Sequence, residues 1–227
     1  MKKSMLASLQ VSLAAMLACA ALAAQGAETK LESVALPDDL PSLERGAETV
    51  VTVCTGCHSL KYIKYRDLMN LGIAKDKVEA WRNGQTLDTA LQAQMTEEAA
   101  RATFSGTAPP DLSLMAAARE GEGNYLFAYL TGYHKNEKGD LTNSVFPQTR
   151  MPDILGAADT TDEKQRAELE TKAKEVTAFL TWAADPHAQE RMRLGYYVLG
   201  YVAFMTLLLF LWKKRIWREI DKRPKIK

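Results

Sequence analysis

Nineteen consecutive residues without a charge, 194–212 (LGYYVLGYVAFMTLLLFLW), constrain this chain more than any other segment. An apolar run with no polar face has no place on a soluble surface helix. At 1.5 Å per residue it reaches about 28 Å, close to the ~30 Å hydrocarbon core of a bilayer. Inside a bilayer the backbone must satisfy its own hydrogen bonds, so the run is expected to be one membrane-spanning helix. Tyr196, Tyr197 and Tyr201 near one end and Trp212 at the other suit the two interfaces. Two positive residues precede the span, Arg191 and Arg193, and eight follow it in 213–227. That asymmetry places the C-terminal tail in the cytoplasm.

The opposite end carries an export signal. Lys2 and Lys3 precede a weakly apolar, Ala-rich stretch from 5 to 24, with small-residue cleavage sites near Ala24 or Ala27. Met16-Leu17-Ala18 before Cys19 is a poor acylation signal, which disfavours a lipid anchor there. Export of residues 26–190 and a cytoplasmic 213–227 agree with each other. The expected organisation is a signal peptide at 1–25, a periplasmic domain at 26–190, a transmembrane helix at 194–212 and a basic tail at 213–227. The net charge of +1 offers no global basic field for nucleic acid.

Within the exported part the reading is mainly α with long loops. Leu43, Ala47, Val50, Val51 and Cys54 recur at helical spacing, with Ser42 as a candidate N-cap. Further helices are expected at 76–82, 96–104, 112–118 and 124–131. A longer one spans 162–182, with Leu169, Ala173, Val176, Leu180 and Ala183 on one face and Asp185-Pro186 as the break before the span. Residues 28–41 read as extended and 132–155 as a long loop, and nothing reads as strand-rich.

Loss of the signal removes Cys19 and leaves one pair, Cys54 and Cys57, in Cys-Thr-Gly-Cys-His. Covalent haem attachment needs two thiols and an imidazole on one turn, and Cys54, Cys57 and His58 supply them. Zinc would need further soft ligands, and no second cysteine pair exists. A redox dithiol usually opens a helix rather than following one. Candidates for the iron's other axial position are Met69, Met95, Met115, Met151, Met192, His134 and His187. Met151 stands apart because FPQTRMPDIL is irregular and Pro152 stiffens the backbone beside the sulfur. An open position, as in a gas-binding haem protein, fits the pattern too.

Five segments taken in order resemble the cytochrome c1 family. They are VCTGCHSL followed by YIKYRDL; SGTAPPDLSLMAAAREGEGNYLFAYLTGY at 105–133; FPQTRMPDIL; FLTWAADPHAQERMRLG; and the anchor itself. The resemblance implies a cytochrome c-like haem domain on one C-terminal transmembrane helix, in the inner membrane of a bacterium with the haem on the periplasmic side. It implies one haem c held by Cys54 and Cys57, His58 as proximal and Met151 as distal ligand. Pro109 and Pro110 would line the haem, and Arg119 and Tyr125 would lie near a propionate. The family's role is an electron-carrying subunit of ubiquinol–cytochrome c reductase, with no bond-making chemistry of its own. Its partners are cytochrome b, the Rieske iron–sulfur protein and a soluble cytochrome c. A free-standing anchored cytochrome c that serves a terminal oxidase shares the motif and the anchor. The sequence departs from the family at Ser105-Gly106, where Asn-Gly is more usual, and lacks the extra cysteine pair of some bacterial members.

Overall fold

The protein is described by a computed structural model over residues 31–221; the expected signal segment at 1–25 and residues 222–227 of the tail lie outside the described residues. The described chain is mainly helical, with long loops and one long apolar helix at its C-terminal end, as expected.

Helix α1, Leu40–Thr52, delivers the Cys-x-x-Cys-His turn. Its N-cap is Asp39, not Ser42: the Asp39 carboxylate accepts from the Ser42 N–H at 3.0 Å. Pro41, which lacks an N–H and is pre-set for helical φ, fills the first turn and moves the cap three residues earlier than the apolar periodicity suggests. Ser42 is buried inside the helix instead, and its hydroxyl accepts from Arg45 at 3.1 Å. At the far end α1 tightens into a single 3₁₀ turn, Cys54–Gly56.

Strand β1, Leu60–Lys64, follows at once and pairs antiparallel with the two-residue β2, Ala90–Leu91, across an irregularity. Between them lie α2, Tyr65–Leu71, and α3, Lys75–Trp81. The expected helix at 96–104 is α4, Glu97–Thr103, capped by Thr96, whose hydroxyl accepts from the Ala99 N–H at 3.2 Å. The expected helix at 112–118 is not there. Those residues form successive tight turns, with Met115 N–H bonded to the Leu112 carbonyl and Ala117 N–H to the Leu114 carbonyl. The cause is tertiary: Leu112 and Ala116 are buried in the core in this turn geometry, and that packing overrides the helical spacing of the segment.

Helix α5, Glu122–Thr131, leads into a hairpin that the sequence reading had as loop: β3, Tyr133–Lys135, and β4, Leu141–Asn143, in register Tyr133↔Asn143. Asn136 closes the turn by accepting from the Lys138 and Asp140 N–H groups, both at 2.9 Å. Residues 144–156 stay irregular.

Helix α6, Glu163–Ala184, packs against both α1 and α5 and forms the spine of the domain. The crossing with α1 is close. A Cβ on Gly46 would lie 2.1 Å from the Glu175 carbonyl oxygen, so only glycine lets the backbones meet. Beside it Arg45 donates from Nε to Glu175 Oε1 at 2.7 Å. The core around this spine comprises Val50, Leu60, Ile63, Leu68, Val78, Leu91 and Phe179, all at most 1% exposed. Burying each contributes about 1.5–3 kcal/mol before the entropy of ordering it is counted. After the break at Asp185-Pro186, helix α7 runs from Ala188 to Asp221, about 51 Å at the usual rise. It is long and apolar enough to cross a membrane, and none of its apolar stretch is buried against the rest of the chain.

Candidate functional site

The Cys54–His58 turn is built by its own backbone. Cys57 N–H and His58 N–H both donate to the Cys54 carbonyl, at 3.1 and 2.8 Å. Thr55 is buried, and its hydroxyl donates back to the Val51 carbonyl at 2.6 Å, which fastens the turn to α1. The outer carbonyls are taken as well: Gln94 N–H donates to Thr55 and Met95 N–H to Gly56, at 2.8 and 3.1 Å. Both thiols are free and half-buried. Burial pushes the Cys54 thiol up to about 11. A thiol held protonated is a poor redox nucleophile, so Cys54 is ill suited to be the attacking thiol of an exchanging pair. Among the described residues no three His, Cys, Asp or Glu side chains converge as a metal site of that kind would require.

His58 is 9% exposed, and its Nδ1 lies 2.7 Å from the Pro110 carbonyl oxygen. A carbonyl only accepts, so Nδ1 carries the proton and Nε2 keeps its lone pair. Burial holds the imidazole below its ordinary pKa, against the opposing pull of the Pro110 carbonyl and the Asp111 charge. A neutral ring with its tautomer fixed by a carbonyl is the ligating form of histidine. The donor set of two thiols and one free Nε2 on a single turn fits a covalently attached haem.

The Pro109–Ser113 segment is docked along the turn and the first part of β1. Leu112 N–H donates to the Ser59 carbonyl at 2.8 Å, Lys61 N–H to Asp111 Oδ2 at 3.1 Å and Tyr62 N–H to the buried Ser113 hydroxyl at 3.0 Å. Asp111 and Ser113 therefore hold in place the carbonyl that orients His58. Pro109 is half-buried, and Pro110 has its ring exposed.

Arg119 and Tyr125 are brought together, with the guanidinium carbon 5.7 Å above the centre of the Tyr125 ring. From there an aromatic file runs through Tyr129, 6.3 Å from Tyr125, to Tyr133, 5.7 Å further on. Tyr133 donates its phenol proton to the Met151 carbonyl at 3.1 Å, so the file ends at the Met151 loop. Met151 is half-buried.

The other axial candidates are placed elsewhere. His134 is exposed on β3, with Nδ1 3.0 Å from the Gly132 carbonyl, and His187 is exposed before α7 beside Glu190. Met69 and Met115 pack against the core. Met95 lies in the segment bonded to the Cys turn, outside α4, and Met192 is exposed on α7. Sequence reasoning missed Asn143, Thr149 and Arg150. Asn143 is fully buried and shapes the loop by accepting from the Val145 and Phe146 N–H groups at 2.9 and 3.1 Å. An Asn that ends a strand just before a Pro-bearing loop was its one signal in the sequence.

Comparison with known proteins gives the same direction. The profile of the Cytochrome C1 family matches residues 36–92 and 76–220. Cytochrome c1 of Allochromatium vinosum is 31% identical over 238 residues, covering 90% of this chain and 96% of that one. Cytochrome c1 of Rhodospirillum rubrum is 29% identical over 225 residues, covering 80% and 83%. A protein of Bradyrhizobium diazoefficiens named cytochrome b/c1 is 30% identical across 80% of this chain and 34% of its own length. With the profile spanning the Cys turn, the docked proline segment, the Met151 loop and the apolar helix, the chain belongs to the cytochrome c1 family.

Proposed function

We propose that this chain is the haem-bearing electron-transfer subunit of a membrane ubiquinol–cytochrome c reductase. The observation that carries the reading is the fixed tautomer of His58, with its free Nε2 on the same turn as two free thiols. When bound, the haem iron alternates between ferric and ferrous states and so stores one electron at a time. The chain's residues do the rest. Cys54 and Cys57 would form the two thioether links, and His58 would bind the iron through Nε2 with its ring held by Pro110. Met151 would supply a second iron ligand from its loop. Pro109 and Pro110 would lie against the haem, and the Arg119 guanidinium, held over Tyr125, would offset propionate charge.

Residues 26–190 form the haem domain on the periplasmic side of a bacterial inner membrane, after removal of the signal at 1–25. Helix α7 carries the span at 194–212, with 213–227 in the cytoplasm. The span packs against cytochrome b, a partner to which the fused name of the Bradyrhizobium relative points. Electrons arrive singly from the Rieske iron–sulfur protein and leave to a soluble cytochrome c. No bond is made or broken in the subunit itself.

The test is purification of the native protein in mild detergent, with an alkaline pyridine spectrum and an intact mass. The expected result is one c-type haem per chain, a mass equal to the chain without its signal plus one haem, and co-purifying b-type haem and iron–sulfur signals. A single-haem species that purifies alone with full activity would move the protein to the free-standing, oxidase-serving cytochromes.

A further inference from the structure

The Met151 loop lacks regular structure, and such segments open at low free-energy cost unless something ties them. Both cysteines of the described residues lie in the 54–57 turn, so no disulfide ties this loop. Two sets of hydrogen bonds do. On one side, both main-chain groups of Met151 are engaged. Its N–H donates to the Thr149 hydroxyl at 3.2 Å, and its carbonyl accepts from Tyr133 at 3.1 Å. The Tyr129 hydroxyl contacts both the Thr149 and Tyr133 hydroxyls and closes the set. Tyr133 is 3% exposed and starts β3, so these bonds refer the loop to the hairpin and to α5.

On the other side, Arg150 Nη1 donates to the carbonyls of Phe104 and Ser105 at 3.1 and 2.7 Å and to the Thr107 hydroxyl at 2.7 Å. Ser105 and Gly106 both have positive φ, +52° and +86°, unusual for serine. The turn so formed leads directly into Ala108-Pro109-Pro110, whose last carbonyl orients His58. One guanidinium thus links the loop of Met151 to the segment that fixes the proximal histidine.

We propose that Tyr133, Thr149 and Arg150 are positioning residues that clamp Met151 by hydrogen bonds alone, with Arg150 coupling the Met151 loop to the Pro109-Pro110 segment on the His58 side. The proposal rests on the reading of Met151 as the distal ligand. Loosening the clamp lengthens the time the sulfur spends away from the iron, and a small ligand then enters the ferrous form.

The test uses the full-length holoprotein in detergent, as Tyr133→Phe, Arg150→Gln, Thr107→Val and Met151→Leu. The readouts are the long-wavelength methionine–iron absorption of the ferric form, the reduction potential and carbon monoxide uptake by the ferrous form. Tyr133→Phe and Arg150→Gln are expected to raise the carbon monoxide-reactive fraction about fivefold, as losing one or two hydrogen bonds would, and to lower the potential. Thr107→Val should move both the same way by less, and because it keeps the charge it separates a lost clamp from a lost positive field. If Arg150→Gln does not accumulate, Tyr133→Phe and Thr107→Val decide the matter. Wild-type values in these variants, with the absorption abolished in Met151→Leu, would overturn the clamp and leave the ligand. An unchanged absorption in Met151→Leu would overturn the ligand reading, and the clamp with it.

Discussion

The Cys turn and the Met151 loop are held by different means. Around the turn, the carbonyls of Thr55, Gly56 and Ser59 and the N–H groups of Lys61 and Tyr62 are each bonded to residues 94–95 or 111–113. Most of these are main-chain groups, so few single substitutions can remove them. Around the loop, the work falls to side chains: Tyr133, Thr149, Arg150, Asn143, and Asp153, which accepts from Gly156 and Ala158 N–H at 3.0 and 2.8 Å. The lesson is that the Cys turn is held by the fold, while the Met151 loop is held by particular residues. The first resists mutation and the second is tunable.

The largest effect should come from attacking the resistant half at His58. His58→Ala removes the imidazole and leaves the Pro110 carbonyl without its donor, a loss of about 1–3 kcal/mol before any ligand is counted. Haem content per chain, read from the pyridine spectrum, is expected to fall to near zero. Retention of wild-type haem content would mean that the turn does not depend on His58. Met151→Leu should act on the tunable half alone. Haem stays attached, the potential drops, and cytochrome c reduction falls about tenfold or more, equal to roughly 1.4 kcal/mol on the limiting step. Loss of haem in that variant would show the two halves to be less separable than their bonding suggests.

The same contrast explains what could be read from sequence. The proximal site is local, five residues that name their own chemistry, and α1 and α6 announce themselves through apolar periodicity. The Met151 loop lies 93 positions beyond His58, and only folding shows that Tyr133 and Thr149 meet at Met151. Residues 112–118 imitate a helix because Leu112, Met115 and Ala116 carry helical spacing, yet that spacing serves a series of turns packed on the core. Helix α2 went unread because Lys64 is a poor cap by type. Its N–H is nonetheless satisfied by Asp67 at 2.8 Å, and Gly72, at φ +113°, ends the helix. The hairpin at 133–143 was hidden by three-residue strands too short to show alternation.

A smaller effect is expected where α1 crosses α6. Gly46→Ala places a methyl against the Glu175 backbone, which no side-chain rotation can relieve, so the helices must part. Overpacking of this kind costs about 1–3 kcal/mol. Denaturant unfolding should register that loss while the potential of the folded protein stays put, because the crossing supports the turn without touching the loop. A shifted potential would mean that strain at the crossing reaches Met151.

The smallest effect belongs to the cap that starts α1. The Ser42 hydrogen bond holds the Asp39 carboxyl below the usual carboxylate range. A carboxylate whose pKa is lowered on folding contributes stability that is fully present above the unfolded value and is lost as pH falls through the folded one. Asp39→Ala should therefore lower Tm slightly at neutral pH, and the gap between variant and parent should close in acid, once the carboxylate of the parent is protonated. Asp39→Asn keeps an accepting oxygen without the charge and should recover most of the neutral-pH loss with no such pH dependence. A gap that stays constant down to low pH would show that Asp39 acts through packing rather than through the charged hydrogen bond. Either way the change should leave the methionine–iron absorption untouched, since the cap stands at the end of α1 remote from the turn.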